Sequence, residues 1–258
     1  MVDSRARIAV WAFGVSETGP VRHMNEDCFL SAEDLRLFVV ADGMGGHAAG
    51  EVAAHVAVES IENFIRRSHE TTDFSWPYGI DPHLSYEANR LKTAVSLANR
   101  RINRLAENHD DYLGMGTTVV CVLLSGGQLV AAHVGDSRLY LCSDHTLIQL
   151  TEDDSWAATV LGSKAGDIGP QATRHVLTNV LGARPDTLVH LHERDLSGDE
   201  TLLLCSDGLH GSVPHGALQQ VMTSTDDLPA LARALVACAL QHGSRDNITA
   251  LVVRCSGQ

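Results

Sequence analysis

The sequence predicts an α+β fold built on antiparallel strands, and three observations carry that expectation. Between residues 114 and 150, short runs rich in β-branched residues are split by Ser125-Gly126-Gly127 and Gly135-Asp136-Ser137, the pattern of a hairpin meander. Two long segments, 51–67 and 85–108, carry helical patterns, the second with Leu91, Val95, Ala98, Ile102 and Leu105 on one face. The helix expected after Asp42 runs into a polar loop at 68–79 containing Trp76-Pro77, where a parallel βαβ unit would need another strand.

In chain order, residues 7–15 read as a first strand, and 19–30 (GPVRHMNEDCFL) as a polar turn leading into a second. A third run, Leu35 to Val40, stops at Asp42, and glycines at 43, 45, 46 and 50 then precede the first helix. Gly43, Gly45 and Gly46 lack the Cβ atoms that would hold a ligand off the backbone, so Asp42 and its neighbouring peptides can line a site together. Strands are expected at 117–124, 128–134 and 138–141. Residues 151–180 are irregular: Asp153, Asp154 and Ser155 look like the cap of a short helix, and Gly162, Gly166, Gly169 and Pro170 interrupt the rest of the segment. Strands at 187–192 and 200–205, a helix at 228–242 ended by Gly243, and a strand at 248–253 complete the chain. His55, His69, His83 and His109 read as surface residues beside the helices.

Composition narrows the function. The 258 residues are 44% hydrophobic with no linker and no repeat, which predicts one domain over 1–258. A net charge of −13, from 19 basic and 32 acidic residues, argues against nucleic acid as a partner. The apolar run at the N-terminus is too short for a signal peptide and nothing later approaches a membrane span, so a soluble cytoplasmic protein is expected, by default a monomer. Six cysteines form no C-x-x-C pair, most of them read as reduced, buried thiols, and none has the arginine five residues on that a cysteine-phosphatase loop needs. Gly43-x-Gly45-x-x-Ala48 imitates a dinucleotide fingerprint without the strand that should come after it, and a phosphate loop at 45–50 would carry Glu51 at its lysine position. His190-x-His192 has zinc-pair spacing but no completing ligands nearby.

Four acids share one setting. Asp42, Asp136, Asp207 and Asp246 each stand where an apolar β run meets a turn. If those strands end at one sheet edge the carboxylates converge, and convergent carboxylates repel unless a cation neutralises them. Oxygen-only ligands select hard cations such as Mg²⁺ or Mn²⁺, and four acids suit a two-metal site. Arg22 lies close in sequence to Glu26 and Asp27, which reads either as a surface ion pair or as a guanidinium offered to a phosphate.

Seven motifs in order then resemble the metal-dependent serine/threonine protein phosphatases of the PPM, or type 2C, family, in its bacterial branch. They are residues 22–27 (RHMNED), 42–46 (DGMGG) with 49–51 (AGE), 116–118 (GTT), 135–138 (GDSR), 150–155 (LTEDDS), 206–209 (SDGL) and 246–247 (DN). The resemblance implies a four-layer αββα sandwich of two mainly antiparallel sheets, with a binuclear Mn²⁺ or Mg²⁺ centre at one end. By position, Asp42, the Gly43 carbonyl and Asp207 resemble ligands, Asp246 would hold the second metal, and Glu26 and Asp27 would contact a metal or its waters. Asp136 with Asp207 looks like a third, weaker site, Arg22 like the phosphate clamp, and 151–180 like the family's flap. The implied reaction is hydrolysis of phosphoserine and phosphothreonine by a water bridging two metals, with no phosphoenzyme. Phosphorylated proteins, and a eukaryotic-like Ser/Thr kinase with its substrates, are the implied partners.

Two departures stand out. Met44 occupies the place of a histidine that protonates the leaving oxygen in many eukaryotic members, which leaves a metal-bound water or His47 for that task. Asp154 replaces a frequent histidine of the LTxDHS pattern. The rival functions are a silent phosphoprotein-binding pseudophosphatase, which would have no turnover for Asp207→Asn to abolish, and a small-molecule phosphomonoesterase, which would favour free phosphoserine over a phosphopeptide.

Overall fold

The computed structural model describes residues 8–45, 49–70, 76–156, 158 and 176–257. In chain order its strands are β1 (Ile8–Glu17), β2 (Asp27–Ala32), β3 (Leu37–Met44), β4 (Gly116–Thr117), β5 (Val119–Ser125), β6 (Gln128–Val134), β7 (Arg138–Ser143), β8 (Thr146–Gln149), β9 (His190–Asp195), β10 (Asp199–Cys205) and β11 (Ile248–Gly257). The helices are α1 (Ala49–Glu70), α2 (Tyr86–Asn108), α3 (Asp207–His210), α4 (His215–Met222) and α5 (Leu228–Gln241). One sheet runs β1-β11-β10-β7-β8 and the other β2-β3-β5-β6-β9, with β4 on the end of β3. Every described pairing is antiparallel.

Alternation along each strand decides the layers. On β3, Phe38 and Val40 point into the space between the sheets, where they meet Leu139, Leu202, Leu204 and Leu251 from the other sheet. Leu37, Val39 and Ala41 point the opposite way, onto α1 and α2. The second sheet does the same: Leu203, Cys205, Ala250 and Val252 face outward against Leu231 and Leu235 of α5. Both faces of each sheet are therefore covered at its centre, which is why the central strands β3, β5, β10 and β11 carry long apolar runs. Fully burying one Val, Leu or Phe contributes about 1.5–3 kcal/mol, and each of the three clusters contains many such residues. Ala53, Ala54 and Ala57 are completely buried, and their small side chains let α1 lie close to its sheet.

The four-layer αββα architecture matches expectation, and its details differ in several places. β3 runs past Asp42 to Met44, because Gly43 and Met44 pair with Thr117 and Gly116 of β4. The expected meander is two hairpins: β5–β6 lies in one sheet and β7–β8 in the other, so residues 135–137 carry the chain across the sandwich instead of turning a hairpin. α1 continues into the expected loop as far as Glu70, its end held by buried Arg90, which donates to Ser68 Oγ and the Ile65 carbonyl at 3.0 and 2.9 Å. The expected strand at 187–192 lies at His190–Asp195, where it pairs with β6. α4 is an addition, eight residues with only Leu218 and Met222 buried. Arg7, and residues 157 and 159–175 of the irregular segment, lie outside the described residues.

Antiparallel order also fixes where the acids go. The end of β3 adjoins the start of β2, with Asp27 directly opposite Asp42. The end of β10 adjoins the start of β11, with Cys205 opposite Ala250. Asp207 follows the first of these and Asp246 precedes the second, so four acids from distant segments reach one end of the sandwich.

Candidate metal centre

At that end lies a cavity of about 220 Å³ whose wall includes Arg22, Glu26, Asp42, Asp136, Asp207 and Asp246. Two close backbone approaches shape it. A Cβ at Gly43 would collide with the carbonyl oxygens of Gly50 and Glu26, so only glycine lets the start of α1 close against β3. A Cβ at Gly208 would strike the Asn247 carbonyl, so glycine there lets α3 seat against β11 and brings Asp207 toward Asp246.

Several of the acids are held in place by specific bonds. The Asp42 amide donates to Thr118 Oγ1 at 3.2 Å, and its carbonyl accepts from the Thr118 amide and Thr117 Oγ1, both at 2.9 Å. This is the physical content of the GTT motif. Asp27 Oδ2 accepts from Ser206 Oγ at 2.7 Å and Thr249 Oγ1 at 2.6 Å. Asp27 Oδ1 is the one buried side-chain oxygen among the described residues with no partner. Arg22 pairs with Asp246 Oδ2 at 2.7 Å, and not with the neighbouring Glu26 or Asp27 that the sequence suggested. Asn247, to which the sequence assigned no role, accepts from the Glu26 amide through Oδ1 at 2.9 Å and donates to the Thr18 and Met24 carbonyls, both at 2.9 Å. It thereby stitches the polar turn to the start of β11. The Glu26 carboxylate lies against Gly50, at the N-terminus of α1, where a negative charge is favourable.

The charges are out of balance. Burial, and then Asp27, Asp207, Asp136 and Asp246, push the Asp42 carboxyl well above its ordinary range. Asp42 retains solvent contact through the narrow cavity it lines, yet protein surrounds it. Burial likewise raises Asp27 to about 7 against its two hydroxyl donors, and raises Asp136 to about 7 with help from Asp207 and Asp153. Arg22 is the only cation on the described wall. Such a cluster is stable as carboxylates only if further positive charge enters it.

The donors fit a hard divalent cation. The acidic side chains lining the cavity offer only oxygens, and beside them the Asp27 carboxylate, opposite Asp42, keeps one buried oxygen without a partner. No three His, Cys, Asp or Glu side chains among the described residues enclose an ion by themselves.

The base of the flap-like segment is tied to this site. Arg138 of the GDSR motif grips Asp153 through two hydrogen bonds, at 2.8 and 2.7 Å. Asp154 accepts from the Gly135 amide at 3.0 Å, Asn179 Nδ2 at 2.8 Å and His190 Nε2 at 2.8 Å, and its carbonyl accepts from the Thr178 amide. The carboxylate at the histidine position is therefore a knot joining the Asp136 turn to both ends of the segment. Beside it Leu177, bridged to Ser155, reaches the cavity wall. His190 stacks on His133 with centroids 4.9 Å apart, so the first histidine of the His-x-His pair belongs to this knot, while His192 is exposed. Asp154→Ala will remove three side-chain bonds, each to a charged acceptor worth about 1.5–3 kcal/mol. Its thermal midpoint will fall by several °C, and KM for a phosphopeptide will rise more than KM for p-nitrophenyl phosphate; equal midpoints would exclude the knot.

Met44 stands exposed on the cavity wall, while Gly46 and His47 lie outside the described residues. A second basin of about 700 Å³ shares Arg22, Asp207 and Asp246 with the acid cavity and adds His242 and Arg245.

Comparison with known proteins agrees with this fold. A family model for protein phosphatase 2C matches residues 22–249. The serine/threonine phosphatase stp of Listeria monocytogenes is 34% identical over 246 residues, covering 92% of this chain and 93% of that protein. The serine/threonine protein phosphatase PstP of Mycobacterium tuberculosis is 33% identical over 242 residues, 92% of this chain and 43% of PstP. The solved catalytic domain of PstP, in complex with two manganese ions, superposes with a TM-score of 0.81 at 30% identity, covering 97% of this chain and all of that one.

Proposed function

The chain belongs to the protein phosphatase 2C family and is a metal-dependent serine/threonine protein phosphatase, and from that premise we propose which of its residues do the work. Asp42, the Gly43 carbonyl and Asp207 would hold one Mn²⁺ or Mg²⁺, and Asp246 with Asp207 the second. Glu26 and Asp27 would steady the ions or their waters. Asp136 with Asp207 would offer a third, weaker position. Bound there, the cations supply a water acidified enough to attack phosphorus and neutralise charge on the phosphoryl oxygens. The observation that carries this assignment is the 220 Å³ cavity itself, where five acids from five segments face one arginine.

Arg22 binds the phosphate. Its guanidinium is half-exposed and reaches Asp246 at the cavity mouth, so phosphate oxygens can exchange for that carboxylate without unburying anything. Asp246 then acts as both ligand and counter-ion. Met44 has no proton to give, so the leaving oxygen must be protonated by water or by His47. The adjoining basin with His242 and Arg245, about 700 Å³, would take the peptide flanking the phosphoresidue. Residues 1–258 act as one phosphatase domain, with 151–180 as a flap beside the site. We place the protein in the cytoplasm as a monomer, opposing a eukaryotic-like Ser/Thr kinase on shared phosphoprotein substrates; no described helix is long and apolar enough to cross a membrane.

The test is hydrolysis of a phosphothreonine peptide with Mn²⁺, Mg²⁺ or EDTA, beside free phosphoserine. Turnover is expected with either metal, none with EDTA, and much less with the free amino acid. Turnover in EDTA would overturn the metal assignment, and preference for free phosphoserine would make the enzyme a small-molecule phosphomonoesterase.

A further inference from the structure

A cleft of about 700 Å³ between α1 and α2 shares no lining residue with the catalytic cavity. Its walls carry Arg67, Arg100, Arg101 and Arg104, four of the 19 basic residues of the chain. None of its lining residues is acidic, although the chain has 32 acids. A solvated helix face would intersperse both signs. Here one sign is concentrated on a protein of net charge −13.

The cations are also positioned. Arg100 lies over the Tyr78 ring, 5.0 Å from its centroid, and the Tyr78 hydroxyl is fixed by donating to the Ser96 carbonyl at 3.2 Å. Arg101 donates to Ser60 Oγ at 3.2 Å across the cleft and pairs with Glu59 at its margin at 2.7 Å. Arg67 Nε donates to the Asn63 carbonyl at 3.1 Å. Between them Phe64, Leu97 and Leu105 make an apolar floor. A small inorganic anion needs a tight cradle of converging donors, whereas an open groove with cationic walls and an apolar floor suits an extended chain carrying carboxylates and apolar side chains.

We propose that the α1–α2 cleft docks an acidic peptide segment of the phosphoprotein substrate, away from the residue being dephosphorylated. This rests on the phosphatase assignment above. Gly50 backs the catalytic cavity and Ser60 to Arg67 line the cleft, so at 1.5 Å per helical residue the two lie about 15–25 Å apart along α1. An extended chain covers that span in roughly 5–8 residues. A cationic groove on an acidic enzyme selects substrates by the charge around the phosphosite, and chiefly by lowering KM.

The test titrates the full chain, in Mg²⁺ buffer, into a fluorescein-labelled peptide of glutamate and leucine that carries no phosphate. Binding is expected to weaken about tenfold or more in Arg100→Glu/Arg104→Glu, and a lysine-leucine peptide should not bind. On a phosphothreonine peptide with such an acidic segment, the double variant should raise KM by a similar factor and leave kcat, and p-nitrophenyl phosphate hydrolysis, unchanged. Equal binding by both proteins, no binding, or retention on phosphatidylserine vesicles alone would overturn the cleft. If the double variant melts early, Arg104→Gln is read by the same titration. Wild-type protein inert toward p-nitrophenyl phosphate would instead sink the phosphatase assignment, a failure that the peptide titration does not share.

Discussion

Millimolar Mn²⁺ or Mg²⁺ added to metal-free protein will raise its thermal midpoint, and the rise will be larger at pH 8 than at pH 5. A ligand at a hundredfold excess over its Kd stabilises the folded state by about 2.7 kcal/mol. At roughly 2–4 °C per kcal/mol for a chain of this size, that is about 5–10 °C. The pH dependence comes from the acid cluster. Asp27 and Asp136 titrate near 7 when folded and near the ordinary 3.8 when unfolded, so between those values the folded state binds more protons. Stability of the metal-free protein therefore falls as pH rises, being fully present below about 4 and lost through about 7. A tenfold difference in proton affinity between the folded and unfolded states is worth about 1.4 kcal/mol, so even part of this displacement moves the midpoint by several °C. Metal and protons compete for the same oxygens, which weakens metal binding in acid and leaves more repulsion to relieve in base. Differential scanning fluorimetry across pH, in EDTA and in Mn²⁺, checks both slopes. A metal-free midpoint that climbs steadily from pH 5 to pH 8 would show that repulsion among Asp27, Asp42 and Asp136 does not govern this end of the sandwich.

The same cluster shows how far sequence carries. Asp42 was legible because its local signal is double: an apolar β run announces the strand, and the glycines announce close backbone approach. Asp207 and Asp246 shared that junction and became a constellation by repetition. The pairs that hold the acids in place were not legible, because they join residues far apart in sequence. Arg22 meets Asp246 across 224 positions, and Asp27 meets Thr249 across 222. No local pattern marks Ser206 or Thr249 as hydroxyl donors to a buried carboxylate. Residues 135–137 misled for a related reason: Gly-Asp-Ser suits a hairpin turn locally, and only the pairing of β7 with β10 makes it a crossing between layers. Asp154 stands out in the sequence only as a replacement, because its partners Gly135, Asn179 and His190 come from three other segments.

Asp42→Asn will separate activity from stability, moving them in opposite directions. The substitution keeps the side chain's shape and the backbone bonds to Thr117 and Thr118 while removing a carboxyl that, without metal, must either hold its charge against the cluster or take up a proton on folding. As a proposed metal ligand, Asp42 contributes charge that the neutral amide lacks. The barrier for phosphate hydrolysis should rise by about 4 kcal/mol, roughly a thousandfold in kcat/KM, for phosphothreonine peptide and p-nitrophenyl phosphate alike. In EDTA the same change relieves repulsion against Asp27, Asp207, Asp136 and Asp246, so the variant should melt several °C above wild type. The increase on adding Mn²⁺ should shrink correspondingly, because less repulsion remains for the ion to cancel. If Asp42 instead served only to brace β3 against β4, the variant would melt lower in EDTA, respond to Mn²⁺ as wild type does, and lose activity only in proportion to the fraction unfolded. A metal-free midpoint and a Mn²⁺-dependent increment, measured on the same two proteins, therefore decide between a ligand and a brace without reference to the rate.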